Sequence, residues 1–142
     1  MSIPNDLSIA RSRLINKKLS FVIVKNGQII AETKAQGIKE LVDVISQYGV
    51  SLQGAALADK VVGKAAMLLA IKAQMASVYA NLVSISALET TSKSTISVVY
   101  DRVVKTILNR KKDDTCPFEK VVKNIDDPKK AFDSLKACSL GR

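Results

Sequence analysis

Histidine is absent from the 142 residues, so the commonest general base near neutral pH and the commonest metal ligand are both missing. Imidazole-based catalytic triads and His-based zinc sites are thereby excluded. Two cysteines, Cys116 and Cys138, are too few for a framework of bridges, and both are read as thiols. Aromatic residues make up only 4% of the chain, which leaves the stacking platforms of single-strand nucleic-acid binders poorly supplied. No run approaches the roughly 18 uninterrupted apolar residues of a membrane span. The opening MSIPNDLSIARSR also lacks the apolar core of a signal peptide. The expectation is a cytoplasmic protein with no membrane partner.

What is present describes a globular chain. Its 142 residues, 47% hydrophobic and 25% charged, suit one domain spanning positions 1–142 with a single sizeable core. Lys and Arg number 22 against 13 Asp and Glu, a formal charge of +9 that favours anionic encounter partners. The basic residues are scattered, so nucleic acid ranks below a small anion as the partner.

Apolar positions in Asp6–Lys18 recur at helical spacing. LSFVIVK and QIIAET follow, joined by Asn26-Gly27, the pair that best supplies the two positive φ angles of a type I′ hairpin. GIKELVDVISQYG places Ile38, Leu41, Val42 and Ile45 on one stripe and ends at Gly49, predicting a second helix. Ala55–Ile71, reading AALADKVVGKAAMLLAI, is expected to be a third, largely buried helix capped by Asp59. ASVYANLVS and TISVVYD read as strands, SALETTSK as a short helix and DRVVKTILNR as helical. KKDDT is a surface loop, while CPFEKVVKN and DDPKKAFDSLKACSL each start a helix at a proline. A hairpin followed by alternating helices and strands predicts a three-layer α/β/α domain. Its small mixed sheet has its first two strands antiparallel and its later ones largely parallel.

Three charges, Asp59, Lys60 and Lys64, interrupt an otherwise core-like segment. Two lysines just inside a helix start oppose the dipole, and four residues apart they repel, so an anion between them is expected. A capping aspartate with two snorkelling lysines is the plainer alternative. Gly63 one turn into that helix costs about 1 kcal/mol relative to Ala, which a close backbone approach explains. Cys116 before Pro117, with Glu119 three residues on, has the form of a capping box with a thiol in place of a hydroxyl. The thiol is a nucleophile candidate activated by the helix start and by the nearby Asn109, Arg110, Lys111 and Lys112; a packing or capping cysteine is the alternative. Cys138 packs. The catalytic candidates are therefore Cys116, Asp59, Lys60 and Glu119, and the ligand-binding candidates are Lys64, Asn109, Arg110 and Ser84.

VKNGQIIAET, GAALADKVVGKAAMLLAI, VYANLVSISALE and NRKKDDTCPFEKVV together resemble the domain-of-unknown-function family numbered 1893. The most specific pieces are Ala58–Ala65 and Cys116–Glu119. That resemblance implies a fold like cytidine deaminase, a helix-flanked sheet whose hairpin strands come first. True deaminases carry His-x-Glu at one helix start and Pro-Cys-x-x-Cys at the next, together holding a zinc-bound water. Here Asp59-Lys60-Val61 is expected at the first position and Ser86-Ala87-Leu88-Glu89 at the second, leaving no His and no paired thiols to bind zinc. The implied function is a deaminase-like domain that binds a small anionic, nucleotide-related ligand without zinc or another cofactor. A regulatory or interaction module without turnover and a basic nucleic-acid binder are the two alternatives.

Overall fold

Asn26 and Gly27 take φ angles of 53° and 79°, the left-handed pair that closes a type I′ turn. In the computed structural model, which describes residues 5–35, 37–109 and 111–140, that turn joins β1 (Phe21–Lys25) to β2 (Gln28–Thr33) in antiparallel register, as expected. β1 also pairs antiparallel with β3 (Ala56–Val62), which pairs parallel with β4 (Ser77–Ser84), which pairs parallel with β5 (Ser97–Val104). The open sheet thus runs β2-β1-β3-β4-β5.

Helices cover both faces. On one, α1 (Asn5–Asn16) lays Leu7, Ala10 and Leu14 over Val22, Val24, Ala56, Ala58 and Tyr79. The small side chains of Ala10, Ala56 and Ala58 let the helix approach the strands closely. On the other, α2 (Ile38–Tyr48), α3 (Lys64–Lys72) and α6 (Pro128–Leu140) enclose a larger core with Ile23, Leu57, Val78 and Ala80. α4 (Ile85–Thr90) and α5 (Pro117–Val122) pack beside α3. The result is the expected three-layer α/β/α arrangement with a mixed sheet. No helix among the described residues is long and apolar enough to cross a membrane.

Two expectations fail. Ala55–Ile71 is not one helix: Ala56–Val62 is the central strand β3, and α3 begins only at Lys64. Alanine, leucine and lysine favour helix, but by well under 1 kcal/mol per residue, and a strand paired on both edges and buried on both faces over Ala56–Ala58 outweighs that preference. Likewise DRVVKTILNR is not helical, because Asp101–Val104 continue β5, with Arg102, Val103 and Val104 paired to Leu82, Val83 and Ser84. The β-branched pair Val103-Val104 suits that register.

Candidate functional site

β3, β4 and β5 are parallel, so their carboxyl ends at Val62, Ser84 and Val104 lie along one side of the sheet. The side chains there belong to the first turns of α3 and α4, to the segment after β5 and to α5. The carboxyl ends of parallel strands are where open α/β sheets commonly form ligand crevices.

α3 starts without a side-chain cap of its own, since Gly63 occupies the N-cap position. Its orphan donors are met from a distance. Glu119, projecting from α5, accepts the Lys64 N–H at 2.9 Å through Oε1 and the Ala65 N–H at 2.8 Å through Oε2. A carboxylate at a helix N-terminus also meets the positive end of the dipole. Gly63 makes the approach possible: a Cβ at that position would lie 2.4 Å from Glu119 Oε1. α4 is capped locally instead, the buried Ser84 hydroxyl accepting the Ala87 N–H at 3.1 Å and meeting Ser86 Oγ at 3.1 Å.

Beside these helix starts lies a cleft of about 1080 Å³. Leu68, Ile71, Ile107 and Pro128 supply its apolar surface, and five lysines line it: Lys64, Lys93, Lys105, Lys120 and Lys123. Two of these ammonium groups are paired within the protein. Lys64 Nζ donates to Asp126 Oδ1 at 3.0 Å and to the Lys123 carbonyl at 3.2 Å. Lys120 bridges to Asp114 at 2.5 Å. The Lys64 bond, reinforced by the field of Lys93, holds the Asp126 carboxyl below its ordinary range. The Lys120 bond does the same for Asp114. Among the described residues, Lys93, Lys105 and Lys123 have no carboxylate within bridging distance. Glu119 is committed to α3, and Asp127 accepts the Lys130 N–H at 2.9 Å. With Glu89 also on the lining, five lysines stand against four carboxylates, and the cleft keeps a small positive excess.

The candidates from the sequence separate in space. Lys64 and Glu119 line the cleft, whereas Asp59 and Lys60 are not among its lining residues. Both lie within β3, so Asp59 caps no helix and Lys60 does not share a helical face with Lys64. Asp59 is half-buried and accepts the Val61 N–H at 3.2 Å. Burial raises its carboxyl to about 7, against the opposing effect of the Val61 and Lys60 N–H groups. Gly63 is not inside a helix but immediately before one, and its close neighbour is a carboxylate rather than backbone.

Cys116 is the N-cap residue of α5, but its thiol makes no capping bond, and Glu119 reaches α3 instead of closing a capping box. The thiol is half-buried and free, as is that of Cys138. Asn109 exchanges hydrogen bonds with Asp113 in the loop before α5, at 2.9 and 3.2 Å. Arg110 lies outside the described residues. Ser84 is buried in its capping role.

Sequence reasoning passed over Lys93, Lys105, Lys120 and Lys123. A usable signal existed for Lys105, which directly follows a β-branched strand and so falls at a strand's carboxyl end. The others reach the cleft only because α5 and the 3₁₀ turn at Thr91–Lys93 fold beside it.

Zinc does not fit here. The α3 start presents Gly63, Lys64 and Ala65, not the expected Asp59-Lys60-Val61, and the α4 start presents Ser84, Ile85 and Ser86. Neither supplies a thiolate or imidazole. Among the described residues no group of three or more cysteine, aspartate or glutamate side chains is placed to hold a metal ion.

The family model described as Domain of unknown function (DUF1893), TM1506, matches residues 9–138. Among solved structures, the chain is similar to the crystal structure of a DUF1893 family protein (TM1506) from Thermotoga maritima. The two share 29% identity with a TM-score of 0.88, over 97% of this chain and 92% of that one. No curated protein matches.

Proposed function

The chain belongs to the DUF1893 family, and from that premise we propose that it is a deaminase-like α/β domain that binds a small anionic ligand in the cleft at the carboxyl ends of β3, β4 and β5, without zinc. One observation carries this reading: Lys93, Lys105 and Lys123 all line one cleft, and among the described residues none of them has a carboxylate within bridging distance. Cations gathered in a concavity attract an anion more strongly than the same charges dispersed over a surface. The hairpin-first, helix-flanked sheet supports the deaminase-like part of the reading, and the α3 and α4 starts carry no thiolate or imidazole of the usual zinc motifs.

The chemistry that persists in such a cleft is recognition. Glu119 holds the α3 start closed with both oxygens, so it orders the site instead of moving protons. Lys64, anchored to Asp126, fixes the adjacent wall. Cys116 and Asp59 lie off the lining, and a catalytic role for either requires a ligand that extends beyond the cleft. Binding without turnover is therefore favoured over hydrolysis.

Titration of the full chain with inorganic phosphate, followed by thermal shift, tests the reading. Saturable stabilisation that survives EDTA and is weakened by Lys105→Ala is expected. No stabilisation at millimolar phosphate would overturn it. The charge of +9 also supports a nucleic-acid reading; that alternative requires a gel shift that weakens steeply as salt rises.

A further inference from the structure

The cleft's neutral donors narrow the class of anion. Hydroxyl side chains line it from three segments: Ser86, Thr90, Ser92 and Ser94 from the α4 segment, Thr106 after β5 and Thr115 before α5. Three are engaged within the protein. Ser86 meets Ser84, Thr90 Oγ1 donates to the Ser86 carbonyl at 2.8 Å, and Ser94 Oγ accepts the Ile96 N–H at 3.1 Å. Among the described residues, the hydroxyls of Ser92, Thr106 and Thr115 have no such partner. Glu89, also on the lining, offers a carboxylate acceptor. No aromatic ring is among the lining residues described.

We infer, on the basis of the cleft-binding reading above, that the ligand is a phosphorylated polyol: a sugar phosphate, or the ribose-phosphate part of a nucleotide with its base left unread. Lys93, Lys105 and Lys123 are point charges suited to phosphate oxygens, which need no planar bidentate partner. Ser92, Thr106 and Thr115 can both donate to and accept from sugar hydroxyls, and Glu89 accepts from them. A nucleobase gains most from stacking on a ring, and these walls offer lysine stems, hydroxyls and aliphatic carbon instead. At about 1080 Å³ the cleft exceeds what a bare phosphate fills, so polar groups beyond the phosphate contacts have room to meet a polyhydroxylated body.

Isothermal titration calorimetry of the full chain with ribose 5-phosphate, inorganic phosphate, adenosine, AMP, CMP and UMP tests this. Ribose 5-phosphate should bind about tenfold more tightly than inorganic phosphate. The three monophosphates should agree within about threefold, and adenosine should not bind. Lys105→Ala should weaken both phosphate and ribose 5-phosphate, while Thr106→Val should weaken only ribose 5-phosphate. Binding of adenosine, a strong preference among the three bases, or equal affinity for phosphate and ribose 5-phosphate would overturn the inference while leaving the cleft a binding site. If none of the phosphorylated compounds binds, the underlying cleft reading falls with it.

Discussion

Asp6 and Glu119 do the same thing in two different places. Asp6 accepts the N–H groups of Asn26 and Gly27 at 2.9 and 2.8 Å, clasping the hairpin turn to α1. Glu119 accepts those of Lys64 and Ala65 at 2.9 and 2.8 Å, clasping α5 to α3. Geometry does not distinguish them, but surroundings do. The bonds of Asp6 are exposed to water, which competes for every group involved, while those of Glu119 are partly buried beside a helix dipole. A hydrogen bond whose loss leaves donors dry contributes more than one whose loss merely admits water. Glu119 should therefore be the stronger clasp, and it is the one beside the cleft.

Glu119→Ala and Gly63→Ala should have the largest effects, each destabilising by about 2–3 kcal/mol in urea unfolding. The first removes the carboxylate, and the second expels it with a Cβ that would lie 2.4 Å from Oε1. Because both break the same contact, the double variant should cost little more than either alone. Additive losses in the double-mutant cycle would show that Gly63 matters for another reason. Ser84→Ala, which removes a local cap from α4, should cost about 1 kcal/mol by the same measurement.

Asp59→Asn tests a carboxyl whose surroundings raise its pKa instead of engaging it as a clasp. Its folded value of about 7 lies above the ordinary 3.8, so the folded state holds the proton more tightly. Stability from this group is fully present below about pH 4 and is lost as pH rises through 7. Discounted for partial exposure, the loss between pH 5 and pH 8 should be about 1–2 kcal/mol. Asp59→Asn should flatten that part of the stability profile, and an unchanged profile would return Asp59 to an ordinary solvated carboxylate. Asp6→Ala should have the smallest effect, about 0.5–1 kcal/mol. If it matched Glu119→Ala, burial would not be what separates the two clasps.

Local readings succeeded where local physics decides. Asn26-Gly27 closes the hairpin, the apolar stripe of Ile38–Tyr48 packs inward, and Pro117 and Pro128 open their helices. They failed where partners lie far along the chain. Cys116-Pro117-Phe118-Glu119 has the spacing of a capping box, yet the carboxylate turns to α3, 54 and 55 residues away. Lys64 was legible as a charge out of place, but not as an ammonium group tied to Asp126.

By itself the sequence determined the hairpin, the amphipathic helices, the layered α/β class and the exclusion of imidazole chemistry. Each follows from backbone dihedrals, a hydrophobic period or the residue inventory. Only the tertiary structure decided that Ala56–Val62 is a central strand, that Glu119 closes the start of α3 and that Lys93, Lys105 and Lys123, with no bridging carboxylate among the described residues, share a cleft. Helix and strand preferences in such a segment differ by tenths of a kcal/mol per residue. The balance was set by burial and pairing with segments far away in the chain.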